Sequence, residues 1–450
     1  MSSLLDSQPT PLDRLPLLAR PDPAAGLARH RGRDISQLEY LQDVRALARQ
    51  LPERRYLVNL CDCSYHFLVA FGAALLRGQP NLLPASRAEQ IVAEVQRDWE
   101  HSHVVDDARV AAAIHQAVRS EPFDVPAIDA AQIAVIGFTS GSTGQPRPHP
   151  KTWGGFVRST ANNLAALAAC IPGGQRLGVV ATVPPQHMYG IEMSVLMPLL
   201  AGAKLYTRRD LFPADIAASL AELAAPRLLV TTPIHLRALL ASQQPMPPIA
   251  AVVSATAPLS AELARDVEQA FDTCVLEVFG STETCVIAAR RTAHEDSWQL
   301  MDEVLLSPQP DGTLVQAPWF ERDTLLQDLV ECLHERRFLL RGRHADQIEI
   351  AGKRASLADL TRRLLSIDGV RDAAIVQEDG IGSVRRLAAF VVAPGLDIAA
   401  VLAALRRVVD PVFLPRRVVM LAQLPRNAVG KLPRQALLDC LSDTGANSGR

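Results

Sequence analysis

The run Phe138-Thr139-Ser140-Gly141-Ser142-Thr143-Gly144-Gln145-Pro146-Arg147 interleaves small hydroxyl side chains with glycine directly after an apolar segment, Ile133–Phe138. Glycines let the backbone close into a concavity of N–H donors, and the Ser and Thr hydroxyls add further donors, a combination that suits a polyphosphate. The G-x-x-x-x-G-K-[ST] spacing of a Walker loop is absent. A Gly/Ser surface linker has no reason to stand between a buried strand and a helix, so the phosphate reading prevails. Lysine usage is a second chemical signal. Only four of the 46 Lys and Arg residues are lysines, Lys151, Lys204, Lys353 and Lys431. Ammonium and guanidinium differ in shape and hydration, so each retained lysine asks for a reason. Cys61-Asp62-Cys63 lacks a second pair at metal spacing, and both cysteines read as core or surface thiols.

The elements that must position these residues alternate in type. Ser36-Gln37-Leu38-Glu39 is a capping box, and Leu38, Leu41, Val44, Leu47 and Leu51 continue it at helical spacing. A strand at Tyr56–Leu60 and a helix over Tyr65–Leu76 follow. Then come strand Ile133–Phe138, helix 154–169, strand Leu177–Val183, helix 191–201, strands Leu228–Thr231 and Ala251–Ser254, helix 260–271 and strand Val275–Phe279. Such alternation predicts α/β architecture with largely parallel sheets. After residue 341 a charged stretch, Arg341-Gly342-Arg343-His344-Ala345-Asp346-Gln347, opens a shorter series: strand 348–351, helix 356–366, strands 370–377 and 386–393, helix 397–409 and strand 416–421. The expected division is a large N-terminal domain, 1–341, of layered and mostly parallel sheets with helices, and a small mobile α+β C-terminal domain, 342–450.

Composition excludes several classes. A chain of 450 residues, 48% hydrophobic and 21% charged, has ample material for more than one core. The net charge of −2 provides no basic footprint, so nucleic acid is not an expected partner. No apolar stretch reaches a membrane span, and the N-terminal MSSLLDSQPTPLDRLPLLAR lacks the continuous apolar core of a signal peptide. Seven scattered cysteines, an odd number, read as reduced thiols, and the expected location is cytoplasmic.

Taken together, five ordered segments resemble the adenylate-forming superfamily of acyl- and aryl-CoA synthetases, adenylation domains and luciferases. Thr139–Pro146 is similar to its T-S-G-[ST]-T-G-x-P-K loop, with Arg147 at the lysine position. Pro184-Pro185-Gln186-His187-Met188-Tyr189-Gly190 is similar to P-x-x-H-x-x-G, and Phe279-Gly280-Ser281-Thr282-Glu283 to the aromatic-G-x-T-E segment. Gly342-Arg343 through Gly352 resembles the hinge, and Pro425-Arg426-Asn427-Ala428-Val429-Gly430-Lys431 the terminal P-x-x-x-x-G-K. The resemblance implies ATP as co-substrate with Mg²⁺, and a nucleotide site built from Thr139, Ser140, Gly141, Ser142, Thr143, Gly144, Arg147, Thr282, Asp328 and Arg343. Thr282 is expected to hydrogen-bond the α-phosphate. Glu283 is expected to hold Mg²⁺, a hard cation that favours carboxylate and phosphate oxygens. Asp328 and Arg343 are expected at the ribose. His187, Tyr189, Gly190, Ser254 and Gly280 are expected around the acyl pocket, Gly352 at the thiol tunnel, and Lys431 in the site for the first half-reaction.

The implied reaction is attack of a carboxylate on the α-phosphorus of ATP, giving an acyl-adenylate and pyrophosphate. Transfer to a phosphopantetheine thiol of CoA or of an acyl carrier protein follows. Departures from the pattern are Arg147, Leu326-Gln327 before Asp328, and Ala345 at the hinge position. The phrases Asn81-Leu82-Leu83-Pro84 and Pro148-His149-Pro150-Lys151-Thr152-Trp153 resemble stand-alone ligases of aryl-polyene and xanthomonadin-type pathways, implying a hydroxybenzoate-like aryl acid. Alternatives are an amino-acid adenylation enzyme with Glu192 holding the amine, a fatty-acyl ligase, and a catalytically dead nucleotide-binding regulator. Residues 345–450 carry 15 Lys and Arg against 11 Asp and Glu, which suits an acidic carrier protein as acceptor.

Overall fold

The computed structural model describes residues 14–84, 87–140, 146–171, 176–334, 336–343, 347–350, 353–378, 386–426 and 432–446. The capping box forms as expected: Ser36 caps helix Gln37–Gln50, accepting from the Glu39 amide while the Glu39 carboxylate accepts from the Ser36 amide. Val, Ile and Leu runs in the middle of the chain become buried parallel strands, because β-branched side chains fit a pleated surface covered on both faces. Six neighbouring strands run parallel, in the order Cys274–Ser281, Ala251–Ser254, Arg227–Thr231, Gly178–Ala181, Lys204–Tyr206 and Gly26–His30. Antiparallel strands extend both edges, reaching Asp328–Cys332 on one side and Arg33–Ser36 on the other.

A second sheet sets Ser102–Val105, Tyr56–Asn59, Asn81–Leu83 and Ile133–Ser140 parallel, with Pro146–Thr152 antiparallel at the end. Helix Ser64–Leu76 is apolar on all sides and buried in the core beside this sheet, packed against helix Gln37–Gln50. Helix Trp153–Leu167 buries Trp153 and Phe156 in the same core.

Beyond residue 347 the described chain folds around its own interior. One cluster joins Ile348, Leu360, Ile375, Ala389, Val401 and Phe413, and a second joins Phe390, Val419, Leu437 and Leu441. Strands Asp372–Glu378, Arg386–Val392 and Arg417–Met420 form its sheet. Gly342 lies in the left-handed region at φ 107° where this part approaches the large sheet, and a Cβ there would run into the Ser356 hydroxyl.

Two expectations need correction. Cys170 and Cys274 are joined as a disulfide with Cα atoms 5.5 Å apart, so five cysteines are free rather than seven. Packing of the segment after helix Trp153–Leu167 against the start of strand Cys274–Ser281 brings together two residues 104 positions apart. The Gly/Ser/Thr segment leads from strand Ile133–Ser140 into the antiparallel strand Pro146–Thr152 before the helix begins, so it joins two strands.

Candidate active site

In open parallel sheets, ligands bind outside the carboxyl ends of the strands, where side chains of successive connections converge. That edge carries Thr182, Thr231, Ser254 and the Gly280–Thr284 turn. Thr182 and Thr231 share a hydroxyl contact of 2.9 Å, and His235 Nδ1 lies 3.3 Å from Thr182 and 2.9 Å from Thr232. Burial pulls the His235 imidazole below its ordinary value. Ser254 is fully buried at the end of its strand, and its hydroxyl has no hydrogen-bond partner among the described residues. An orphaned hydroxyl at this edge fits a polar group of a bound nucleotide. Two residues later Thr256 has φ 77°, a conformation costly for a β-branched residue and concentrated at functional sites.

Three sequence segments meet here. A Cβ built on Gly137, in the strand before the phosphate-loop segment, would lie 2.8 Å from Thr282 Cγ2 and 3.3 Å from Met188 Cε. The missing Cβ lets strand Ile133–Ser140, the 184–190 connection and the 280–284 turn pack closely on one another. Gly190 and Gly280 serve the same closeness. Side chains there would run into the carbonyls of Pro184 and Cys285. The strand Cys274–Ser281 continues two residues past the expected end at Phe279, with a bulge at Phe279/Gly280 that aims the turn.

Glu283 occupies that turn with its side chain 27% exposed, a carboxylate at the strand's carboxyl end that suits a hard divalent cation. The antiparallel strand Pro146–Thr152 holds it: Lys151 Nζ donates to the Glu283 carbonyl, and His149 Nε2 lies 3.8 Å from Oε1. Burial lowers the His149 imidazole, and the Glu283 charge opposes that shift. Sequence reasoning missed His149 and Lys151 as neighbours of Glu283, although the scarcity of lysine had marked Lys151. A cavity of about 260 Å³ opens beside them, walled by Phe156, Trp319 and Phe320 with Lys151, Arg322 and Glu283 at its polar side. Among the described residues expected around the nucleotide and acid, Glu283 alone lines this cavity.

His187, half-buried, caps the short helix Met188–Gly190, accepting from the Tyr189 amide at 3.3 Å. Tyr189 is buried, and its hydroxyl is directed at the carbonyls of Val253 (2.8 Å) and Thr231 (3.2 Å). Its polar end is therefore engaged by strand ends and anchors the 184–190 segment. The helix continues with π-type turns, Ile191–Val195 and Met197–Ala201. Glu192 in it is fully buried and accepts from the Ser159 hydroxyl, from Asn163 Nδ2 at 3.4 Å and from the Val286 amide at 3.0 Å. Burial pushes its carboxyl up against these bonds. Its acceptors tie helix Trp153–Leu167 to strand Cys285–Arg290, which leaves no support for a role toward a substrate amine.

Asp328 and Arg343 stand directly opposite each other in neighbouring strands, so the antiparallel register brings the two expected ribose residues together. Thr139 and Ser140 end their strand, and Arg147 lies opposite Thr139 with its side chain exposed. Gly141, Ser142, Thr143, Gly144, Gly352 and Lys431 lie outside the described residues.

The model of the AMP-binding enzyme family matches residues 47–305, more than half the chain and the whole of this edge from Thr139 to Glu283. The chain belongs to the AMP-binding enzyme family. It is an AMP-forming acid–thiol ligase, and it forms acyl-adenylates. A 4-coumarate–CoA ligase of Halorhodospira halophila is 32% identical over 309 residues, which cover 65% of this chain and 73% of that enzyme. A 4-coumarate–CoA ligase of Rhodobacter capsulatus is 32% identical over 255 residues, covering 56% of this chain and 63% of the relative. Among solved folds, ATP-bound MatB from Rhodopseudomonas palustris superposes with a TM-score of 0.76 at 18% identity, covering 94% of this chain and 97% of its own. The family's α/β architecture is thereby shared. Among the described residues, no helix is long and apolar enough to cross a membrane.

Proposed function

We propose that this family member uses ATP to activate an aryl carboxylic acid of the hydroxybenzoate type and passes the acyl group to a phosphopantetheine thiol. The observation that carries the reading is the closure of Gly137, Met188 and Thr282 on one another beside Glu283. It brings strand Ile133–Ser140, the 184–190 segment and the turn bearing Glu283 to one strand edge, which supports reading them as phosphate, acid and metal sites. Thr282 donates toward the α-phosphate, and the Thr139–Gly144 loop with Arg147 receives the β- and γ-phosphates. Asp328 and Arg343 take the ribose, and His187 orients the acid. Bound at Glu283, Mg²⁺ supplies charge neutralisation of the phosphates. Lys151 and His149 hold Glu283 in register.

The aromatic walls of the neighbouring cavity favour a flat acid over a long alkyl chain, and the 4-coumarate–CoA ligase relatives act on an aryl acid by name. The carboxylate attacks the α-phosphorus, pyrophosphate leaves, and a thiol sulfur then displaces AMP. Residues 342–450 are read as a lid that brings Lys431 to the first step and the Gly352 face to the second, a hinge transition between two packed states. The net of +4 over residues 345–450 suits an acidic carrier protein as acceptor. The test is mass spectrometry of products from ATP, Mg²⁺ and a panel of hydroxybenzoic, cinnamic, fatty and amino acids. Acyl-AMP is expected from the aryl acids. Formation from amino or fatty acids alone would reject the substrate class. With an activated acid in hand, faster transfer to CoA than to a carrier protein would reject the acceptor.

A further inference from the structure

Away from Glu283, the same carboxyl-end edge brings together three side chains of two ligand types, imidazole and thiol, that suit a soft or borderline metal. His30 ends the parallel strand Gly26–His30, Cys63 caps helix Ser64–Leu76, and His66 stands in that helix's first turn. One ligand atom from each lies within 4.8 Å of the others, and among the described residues this is the one group of three or more His, Cys, Asp or Glu so disposed. Cys63 Sγ is 3.8 Å from His30 Nδ1, and the two imidazole centroids are 5.7 Å apart. The Cys63 side chain makes no full capping bond, and its sulfur lies beside the Tyr65 and His66 amides at the helix start and 3.8 Å from His30 Nδ1.

The surroundings of the three side chains are those of a supported metal site. Asp107 Oδ1 accepts from His66 Nδ1 at 2.8 Å, which fixes that ring with Nε2 left as the lone-pair nitrogen. The same carboxylate accepts from the amides of Asp62 (2.8 Å) and Cys63 (3.2 Å), so one aspartate orients two of the three ligands. Thr207 Oγ1 lies 2.8 Å from His30 Nδ1, the nitrogen that faces Cys63, so this contact gives way when Nδ1 takes the metal. His66 is buried while His30 and Cys63 are half-buried, which gives the group an enclosed side and an open side.

We infer that His30, Cys63 and His66 bind one Zn²⁺, with Asp107 as the supporting acceptor and a water in the fourth position. Two imidazoles and a thiolate match the borderline character and tetrahedral preference of zinc, and exclude Mg²⁺ and Ca²⁺, which take oxygen. Binding forms two Zn–N bonds and one Zn–S bond and releases the Cys63 thiol proton to solvent. Tetrahedral bond lengths of about 2.0–2.3 Å require the ligand atoms to draw in from their present spacing. The strand end, the Cys61–Cys63 turn and the helix start then become one body. Gln186 Nε2 donates to the Cys61 carbonyl, so that body also supports the segment bearing His187.

The test uses the purified full chain, stripped with a chelator and titrated with Zn²⁺ and Co²⁺. One equivalent of Zn²⁺ is expected to remain after desalting, and Co²⁺ is expected to give a thiolate-to-metal charge-transfer band. Zn²⁺ is expected to shield Cys63 from iodoacetamide, read on the Cys63 peptide, while exposed Cys332 stays reactive. Because this reading uses the unmutated chain, it stands even where a ligand variant fails to fold. Cys63→Ser is expected to lose the band, and Asp107→Asn to keep it with affinity about 10- to 100-fold weaker. Absence of a stoichiometric ion together with unshielded Cys63, or a band that survives Cys63→Ser in a folded variant, would overturn the site.

Discussion

At the scale of single residues, Glu283 and the glycines around it bear most of the account. A neutral amide is a poorer ligand for a hard cation than a carboxylate. Glu283→Gln is therefore expected to raise the Mg²⁺ concentration needed for half-maximal pyrophosphate release and to lower kcat/KM for ATP by about 100-fold. An unchanged Mg²⁺ titration would remove Glu283 from the metal. Gly280 tests the packing side of the same turn. Its missing Cβ is what lets strand Cys274–Ser281 bulge against the Cys285 carbonyl. Gly280→Ala is expected to cost about 2–4 kcal/mol in urea unfolding, because a backbone contact and not a flexible side-chain tip must move.

At the scale of elements, much was legible in advance. Ser36 and Glu39 announce a helix start because both capping bonds are local, and both form. Ala251–Ser254 appears with its expected bounds, since a short apolar run between polar connections has one way to be buried in a parallel sheet. Local pattern did not disclose what depends on distant partners. Lys151 and Glu283 are 132 residues apart, and their meeting depends on the end strand of one sheet facing a turn of the other. The resemblance put Tyr189 at the acyl pocket, and its hydroxyl finds two strand-end carbonyls that the local sequence cannot reveal. Glu192 and the Cys170–Cys274 bond were hidden for the same reason.

The strand Pro146–Thr152 gives this scale its prediction. Lys151→Met keeps the aliphatic stem but removes the donor to the Glu283 carbonyl. It is expected to lower kcat more than it raises KM for the acid, with unfolding unchanged within about 1 kcal/mol. A change in acid KM alone would make Lys151 a substrate contact.

At the scale of the whole molecule, an ion cluster ties the part beyond residue 347 to the rest. Arg426 reaches both oxygens of Asp372, at 2.9 and 3.1 Å, and Arg237, from helix Pro233–Ser242 of the large sheet's layer, lies 3.7 Å from the same carboxylate. Burial pulls the Arg237 guanidinium down and Asp372 opposes it. Titration acts at this scale too. His103 is held down to about 4, chiefly by burial, so the unfolded chain takes up a proton that the folded chain refuses. The sign is fixed: stability falls as pH drops from about 6.5 toward 4. His103→Leu is expected to flatten that part of a Tm-against-pH curve, and an unaltered slope would contradict the burial argument.

Under the proposed function, the strand edge joining Gly137, Met188, Thr282 and Glu283 forms the acyl-adenylate. The most direct test of this reading is exchange of labelled pyrophosphate into ATP, measured with and without 4-hydroxybenzoate for the natural chain and for Lys431→Ala and Glu283→Gln. Exchange is expected to require both the acid and Mg²⁺, to be abolished in the first variant and to need more Mg²⁺ in the second. Exchange that proceeds without any acid, or that survives both substitutions undiminished, would contradict it.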